Sequence, residues 1–262
     1  MTTDVERFDR LMASKIALGE NELADYLSSV LSGIDMAKTD QPVPSPGVFW
    51  ALTRVFGCYD RVAELCEQYR PHADSPFSAE LEIEHYLMRL RVLLDEVAYV
   101  VRIRMPKTVR RLSNPAGPTE YKQFSINAFL GFVEKNPNCC PHLKRLMEKN
   151  RASINRYITI RDDIAHFRAK ALIFLGETMS VGFAGARESI GHGILPHTDL
   201  RTYVDSAMAW MWDFLEKDVV EYFRGRIADG ELDFKPLGIG PHRIFMPGIE
   251  RFKRARGIGL QE

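Results

Sequence analysis

The sequence predicts a mostly α-helical protein, a helical bundle carrying one small β-element, on three observations. Apolar residues recur at i, i+3 and i+4 over long stretches, proline falls between those stretches, and period-two alternation is confined to one segment near residue 175. Hydrophobic residues make up 45% and charged residues 27% of the 262-residue chain, enough for a sizeable core under a charged surface. Basic and acidic side chains balance at 35 each. Any surface for a polyanion therefore has to be a local patch.

Residues from about Val5 to Ile34 read as one or two short amphipathic helices, broken near Gly19. The run Gln41-Pro42-Val43-Pro44-Ser45-Pro46-Gly47 reads as a rigid connector. Helical spacing resumes from Val48 to Tyr69 and stops before Pro71. Ser75-Pro76 then opens a long helix, with Ser as the cap and Pro at the first position. Its inward stripe is Ile83, Tyr86, Leu87, Leu90, Leu94, Val97 and Val101, and Pro106 ends it near Met105.

A short helix is expected over Glu120 to Glu134, and a long one over Pro141 to Ala169. Alternation around Gly176-Glu177, between Ala171 and Phe183, predicts an inserted β-hairpin. The last long helix starts near Thr198-Asp199 and ends at Gly230, with Leu200, Val204, Ala207, Met211, Phe214 and Leu215 inward. Trp210 and Trp212 lie in it and read as core or dimer-face residues rather than base-stacking platforms. The expected organisation is a helical extension over 1–72, a bundle over 75–230, and a basic tail rich in Gly and Pro over 231–262.

The first residues, MTTDVERFDR, lack the basic-then-apolar order of a secretory signal, and no apolar run approaches the ~18 residues of a membrane span. Cys58, Cys66, Cys139 and Cys140 form no CxxC pair and no disulfide framework. Cys139, Cys140 and His142 are too few for a zinc site and read as reduced thiols at a helix start. A cytoplasmic protein with no membrane partner is expected.

Function concentrates in Arg161-Asp162-Asp163-Ile164-Ala165-His166. Ile154, Tyr157, Ile158, Ile164 and Ala165 mark the apolar stripe of this helix. Arg161 falls inside that stripe, with Asp162 and His166 on its flank. A guanidinium there is costly unless it is paired or faces a polar interface. Asp162 and His166 are four apart, so the carboxylate can reach the imidazole and set its tautomer. A second Arg-x4-His run, Arg187 to His192, sits among Gly182, Gly185, Gly191 and Gly193 and reads as loop.

Two basic clusters accompany the motif. Arg102, Arg104, Lys107, Arg110 and Arg111 place five cations in ten residues with no acid, which reads as a local phosphate track or as a solvated charged face. Residues 144–170 carry eight cations against Glu148, Asp162 and Asp163.

The segment RDDIAHF resembles the motif of the HEPN superfamily, in which Arg, a polar residue directly after it, and a His four to six residues beyond lie on one helix. The match is specific over about seven residues; from Ser75 to Asp229 it is a similarity of helix count and order. The resemblance implies a metal-independent endoribonuclease on a helical bundle, with no cofactor. Arg161 and His166 would be catalytic, with Asp162 in the polar slot. It also implies a homodimer with its active site at the interface, and the setting of a toxin or phage-defence effector with an antitoxin or defence-system partner. Some family members carry a Tyr two residues after the His as a nucleotidylation acceptor; this chain has Arg168 there, which does not support that mode of silencing.

Three other readings stand beside this one. The chain is a non-catalytic HEPN-like dimer that binds nucleic acid or a partner protein. Alternatively, Arg161 and His166 cap and solvate the end of a core helix. The third is a di-metal carboxylate bundle built on Glu82-x-x-His85 and Asp163-x-x-His166, against which Glu82 and His85 fall off their helix's apolar stripe.

Overall fold

The computed structural model describes residues 3–17, 46–71, 76–103, 125–136, 138, 140–166, 168–185, 197–232 and 248–257. Over these residues the chain is mostly helical with a small three-stranded antiparallel sheet. The elements are α1 (Asp4–Ala17), α2 (Pro46–Gln68), α3 (Phe77–Ile103), α4 (Ile126–Lys135) and α5 (Pro141–Ala165), followed by β1 (Lys170–Leu175), β2 (Met179–Ala184) and β3 (Thr198–Asp199). Then come α6 (Leu200–Asp213), a π-helical turn (Phe214–Val219), α7 (Val220–Ala228) and α8 (Ile249–Ala255). No helix is long and apolar enough to cross a membrane among the described residues.

Local chemistry sets the helix starts. Thr3 and Glu6 form a capping box, in which the Glu6 amide donates to Thr3 Oγ1 at 3.2 Å and the Thr3 amide to Glu6 Oε2 at 2.9 Å. Ser125 caps α4 by accepting from the Ala128 amide at 3.4 Å. Asp199 caps α6 by accepting from the Thr202 amide at 2.8 Å, where the sequence places that start. Pro46 and Gly47, the end of the expected connector, instead form the first turn of α2, because proline's fixed φ suits a helix start. The seven residues expected as the inward stripe of α3 are all buried.

The contacts divide the chain into two compact units, each drawn from three separate stretches. One unit draws its described residues from 1–51, 93–151 and 212–245. Phe8, Leu94, Val97, Phe129, Leu146 and Phe223 are among its buried side chains. On the π-helical turn of this unit, buried Asp218 accepts from Lys149 Nζ at 2.6 Å and from Asn150 Nδ2 at 2.8 Å.

The other unit draws on 52–92, 152–211 and 246–262. Phe56 and Tyr59 of the expected extension pack edge-on against Phe252 of the expected tail, with ring centroids 5.8 and 6.0 Å apart. Residues 248–257 are therefore part of a core, because Ile249 and Phe252 on α8 are apolar at helical spacing.

The predicted hairpin is present, with Leu172 opposite Gly182 and Leu175 opposite Met179, and β3 adds a short third strand beside β2. β1 is an edge strand. The outward amides of Ala171 and Ile173 donate to Glu84 Oε1 (3.1 Å) and Glu80 Oε1 (3.4 Å) of α3. Two carboxylates thus satisfy the edge that a further strand would otherwise pair.

Candidate functional site

α5 carries the motif. Pro141 opens it, and Leu143, Leu146, Met147, Asn150, Ile154, Tyr157 and Ile158 form its buried face at helical spacing. It ends at Ala165, four residues before the expected limit. There the Asp163 carbonyl accepts from the amides of Arg168 (2.7 Å) and Ala169 (3.1 Å), closing the last turn as β1 begins. Gly185 fixes this exit from the other side. Its φ is +77°, and a Cβ on it would lie 2.4 Å from the Arg168 carbonyl oxygen.

Arg161 is part-buried, its side chain 27% exposed. Its Nη1 donates to Asp162 Oδ1 at 2.8 Å, while Nε is buried with no hydrogen-bond partner among the described residues. The Asp162 carboxylate therefore serves the neighbouring guanidinium, not the His166 imidazole expected from the i, i+4 spacing. The reason is the helix end: His166 belongs to the closing turn, where its amide donates to the Asp162 carbonyl at 3.0 Å and its ring is exposed.

The fully buried acid of the motif is Asp163, at 0% exposure, three residues after buried Ile160. Sequence reasoning gave that place in the stripe to Ile164, which is only half-buried. The missed signal was the i+3 step from Ile154 through Tyr157 and Ile160 to Asp163.

Around the motif, the Arg156 guanidinium sits 5.9 Å above the Tyr203 ring. Tyr157 stacks on Trp210, with centroids 5.1 Å apart and planes at 29°. Trp210 is half-buried in this stack and Trp212 is buried.

The expected RNA track is changed at its first member. Arg102 is a core residue, 2% exposed, so its side chain is not presented to a backbone phosphate. It lies off the Ile83–Val101 stripe, near the C-terminal end of α3, so packing buries it there, and the count of cations in the sequence carries no such information. Arg104, Lys107, Arg110 and Arg111 lie outside the described residues, as does the second Arg-x4-His run.

Glu82 is bonded to Arg61 Nε at 2.8 Å and His85 is exposed, so the first acid-x-x-His pair does not turn inward as bundle metal ligands would. No group of three or more His, Cys, Asp or Glu side chains is placed to hold a metal ion among the described residues.

Two long-range polar clusters were invisible to spacing arguments. His142 Nε2 lies 2.7 Å from Asp229 Oδ2. Its ring rests where Gly225 leaves space, for a Cβ there would come within 2.4 Å of His142 Cε1. In the other unit, Tyr59 donates to Asp205 Oδ1 at 2.7 Å, and Arg201 joins Asp205 (2.9 Å) to Glu67 (2.8 Å). Burial, reinforced by the Asp205 carboxylate, pushes the Tyr59 phenol well above its ordinary range. The Cys66 thiol is pushed up to about 12 by burial first and then by the Asp199 charge, so it is not a nucleophile near neutral pH.

No family model, no curated protein and no solved structure matches the chain.

Proposed function

We propose that this protein is a metal-independent endoribonuclease of HEPN type, with Arg161 and His166 as its catalytic pair in an active site shared by two copies. The observation that carries the reading is the part-buried guanidinium of Arg161, whose Nε has no acceptor among the described residues, five residues before an exposed histidine at the same helix end. A buried donor of this kind gains most from an anionic oxygen brought by a ligand.

RNA cleavage without a metal needs a base for the 2′-hydroxyl proton, an acid for the leaving 5′-oxygen, and cations for the charged phosphorane. His166 transfers a proton at one of these oxygens, and Arg161 holds the phosphate by its planar fork. One copy supplies one such imidazole, so the second copy supplies the other proton carrier. Arg104, Lys107, Arg110 and Arg111 are assigned to the RNA backbone. The cytoplasmic toxin or phage-defence setting, with an antitoxin or defence-system partner, belongs to the same proposal and rests on family resemblance alone.

A second reading is a non-catalytic HEPN-like dimer that binds nucleic acid or a partner protein. It is favoured by the Arg161–Asp162 ion pair, which offsets the charge a phosphate would meet. Incubation with single-stranded RNA in excess EDTA separates the two. Products ending in a 2′,3′-cyclic phosphate, or in its hydrolysis product, are expected. Bound but uncut RNA would replace the enzyme with the binding module, and cleavage abolished by EDTA would replace it with a metal-dependent nuclease.

A further inference from the structure

Successive strand positions alternate between the two faces of the sheet, and Ala171, Ile173, Met179, Val181 and Phe183 are its buried set. On the other face, Lys170, Leu172 and Phe174 of β1 stand opposite the small residues Ala184, Gly182 and Ser180 of β2. By the same register position 197, just before β3, falls beside Gly182. There the His197 ring meets the Phe174 ring across the middle strand, with centroids 5.0 Å apart and planes at 34°. Glycine and serine beneath them are what let rings from two non-adjacent strands approach. Both residues are exposed, Phe174 at 36%. A single exposed Phe needs no explanation, whereas two paired aromatic rings offer a π-surface of the kind on which a base stacks.

Two free cations lie at the end of β1 that follows the motif helix. Arg168 and Lys170 are exposed and form no ion pair among the described residues. By contrast Arg61, Arg151, Arg201, Arg224 and Arg251 are each bonded to a carboxylate. The acid on this face, Asp199, is turned to the Thr202 amide as the cap of α6, and Glu177 lies in the turn at the opposite end of β1. Cations for phosphates beside an aromatic surface for bases are how proteins hold a single strand. A duplex keeps its bases stacked inside and has none to present.

We propose that this face of the sheet binds a single-stranded segment of the RNA substrate, with Phe174 and His197 as the stacking platform and Arg168 and Lys170 on the phosphates. The proposal takes RNA as the ligand from the ribonuclease reading, but uses neither Arg161 nor His166.

Fluorescence anisotropy of a labelled 2′-O-methyl RNA oligonucleotide, which lacks the attacking hydroxyl, reads binding to the full chain without cleavage. Phe174→Ala should raise the single-strand Kd about 10-fold or more, the worth of one base–aromatic stack. Phe174→Trp restores a broad π-face and should bind at least as tightly as the wild type. Neither change should alter the affinity for a duplex of the same length. Arg168→Ala with Lys170→Ala should flatten the slope of log affinity against log salt by about 1.4, as the loss of two phosphate contacts to a single strand requires. A single-strand affinity unchanged in Phe174→Ala would overturn the proposal, as would an equal loss for strand and duplex, or a wild type that binds no single strand. Cleavage in EDTA is read separately: a chain that binds in this way without cutting RNA loses only the ribonuclease reading, and one that cuts RNA while Phe174→Ala binds normally loses only the platform.

Discussion

Arg161 directs one arm of its guanidinium to Asp162 and leaves Nε buried, so its charge is anchored in the helix while its fork is incompletely used. Arg161→Lys keeps the charge but loses the planar fork, and RNA cleavage should fall by at least ~10²-fold. Asp162→Asn keeps an acceptor for Arg161, and its cost should stay within about tenfold. A larger loss in Asp162→Asn than in Arg161→Lys would mean that the carboxylate acts on the reaction itself. At this scale the sequence revealed residue types and their order along α5. It did not reveal their partners, because the Asp162 carboxylate had two candidate partners by spacing, Arg161 and His166, and the helix end decided between them. Arg102 is the same lesson in reverse, a cation in a basic run that packing buries in the core.

Elements were more legible than sites, for a physical reason. The starts at Asp199 and Pro141 and the buried face of α3 follow from capping and period, which are local. The end of α5 depends on amides from the strand after it, and the π-helical turn of Phe214–Val219 inside the expected last helix has no local signature. Asp199 gives an element-scale prediction. Burial works against its carboxylate, but the Thr202 amide and hydroxyl, with Thr178 and the Arg201 amide, hold it below the usual carboxylate range. The stabilisation from this lowered pKa is present above the unfolded value of ~3.9 and is lost as pH falls through the folded value. Asp199→Ala should cost about 1 kcal/mol near neutral pH in urea unfolding. The gap between wild type and Asp199→Asn should close on acidification; a gap that widens would refute the cap. Gly225→Ala is the second test. A helix interior usually gains ~1 kcal/mol from this change, but here the new Cβ meets the His142 ring, so a net loss of about 1 kcal/mol or more is expected in the same assay.

For the whole molecule, composition and periodicity predicted the helical class and the hairpin found among the described residues, but they carry no long-range contacts. The sequence segments 1–72, 75–230 and 231–262 are separated by prolines and glycines, whereas the contacts join α2, α6 and α8 through Tyr59, Asp205 and Phe252. Such pairs lie 146 or more residues apart, and no local pattern encodes them. Zero net charge does not argue against an RNA substrate, since only a local track need be basic. Replacing Arg104, Lys107, Arg110 and Arg111 together by Ala should weaken RNA binding about equally across sequences and flatten its salt dependence; an unchanged salt slope would remove them from the site.

The most direct test of the central claim is the rate of RNA cleavage in EDTA by the wild type, His166→Ala and His192→Ala. Loss of general acid–base transfer removes on the order of 10² to 10⁴ in rate, so His166→Ala should be silent while retaining its helical circular dichroism. His192→Ala, in the other Arg-x4-His run, should cleave as the wild type does. Cleavage by His166→Ala at the wild-type rate would contradict the account.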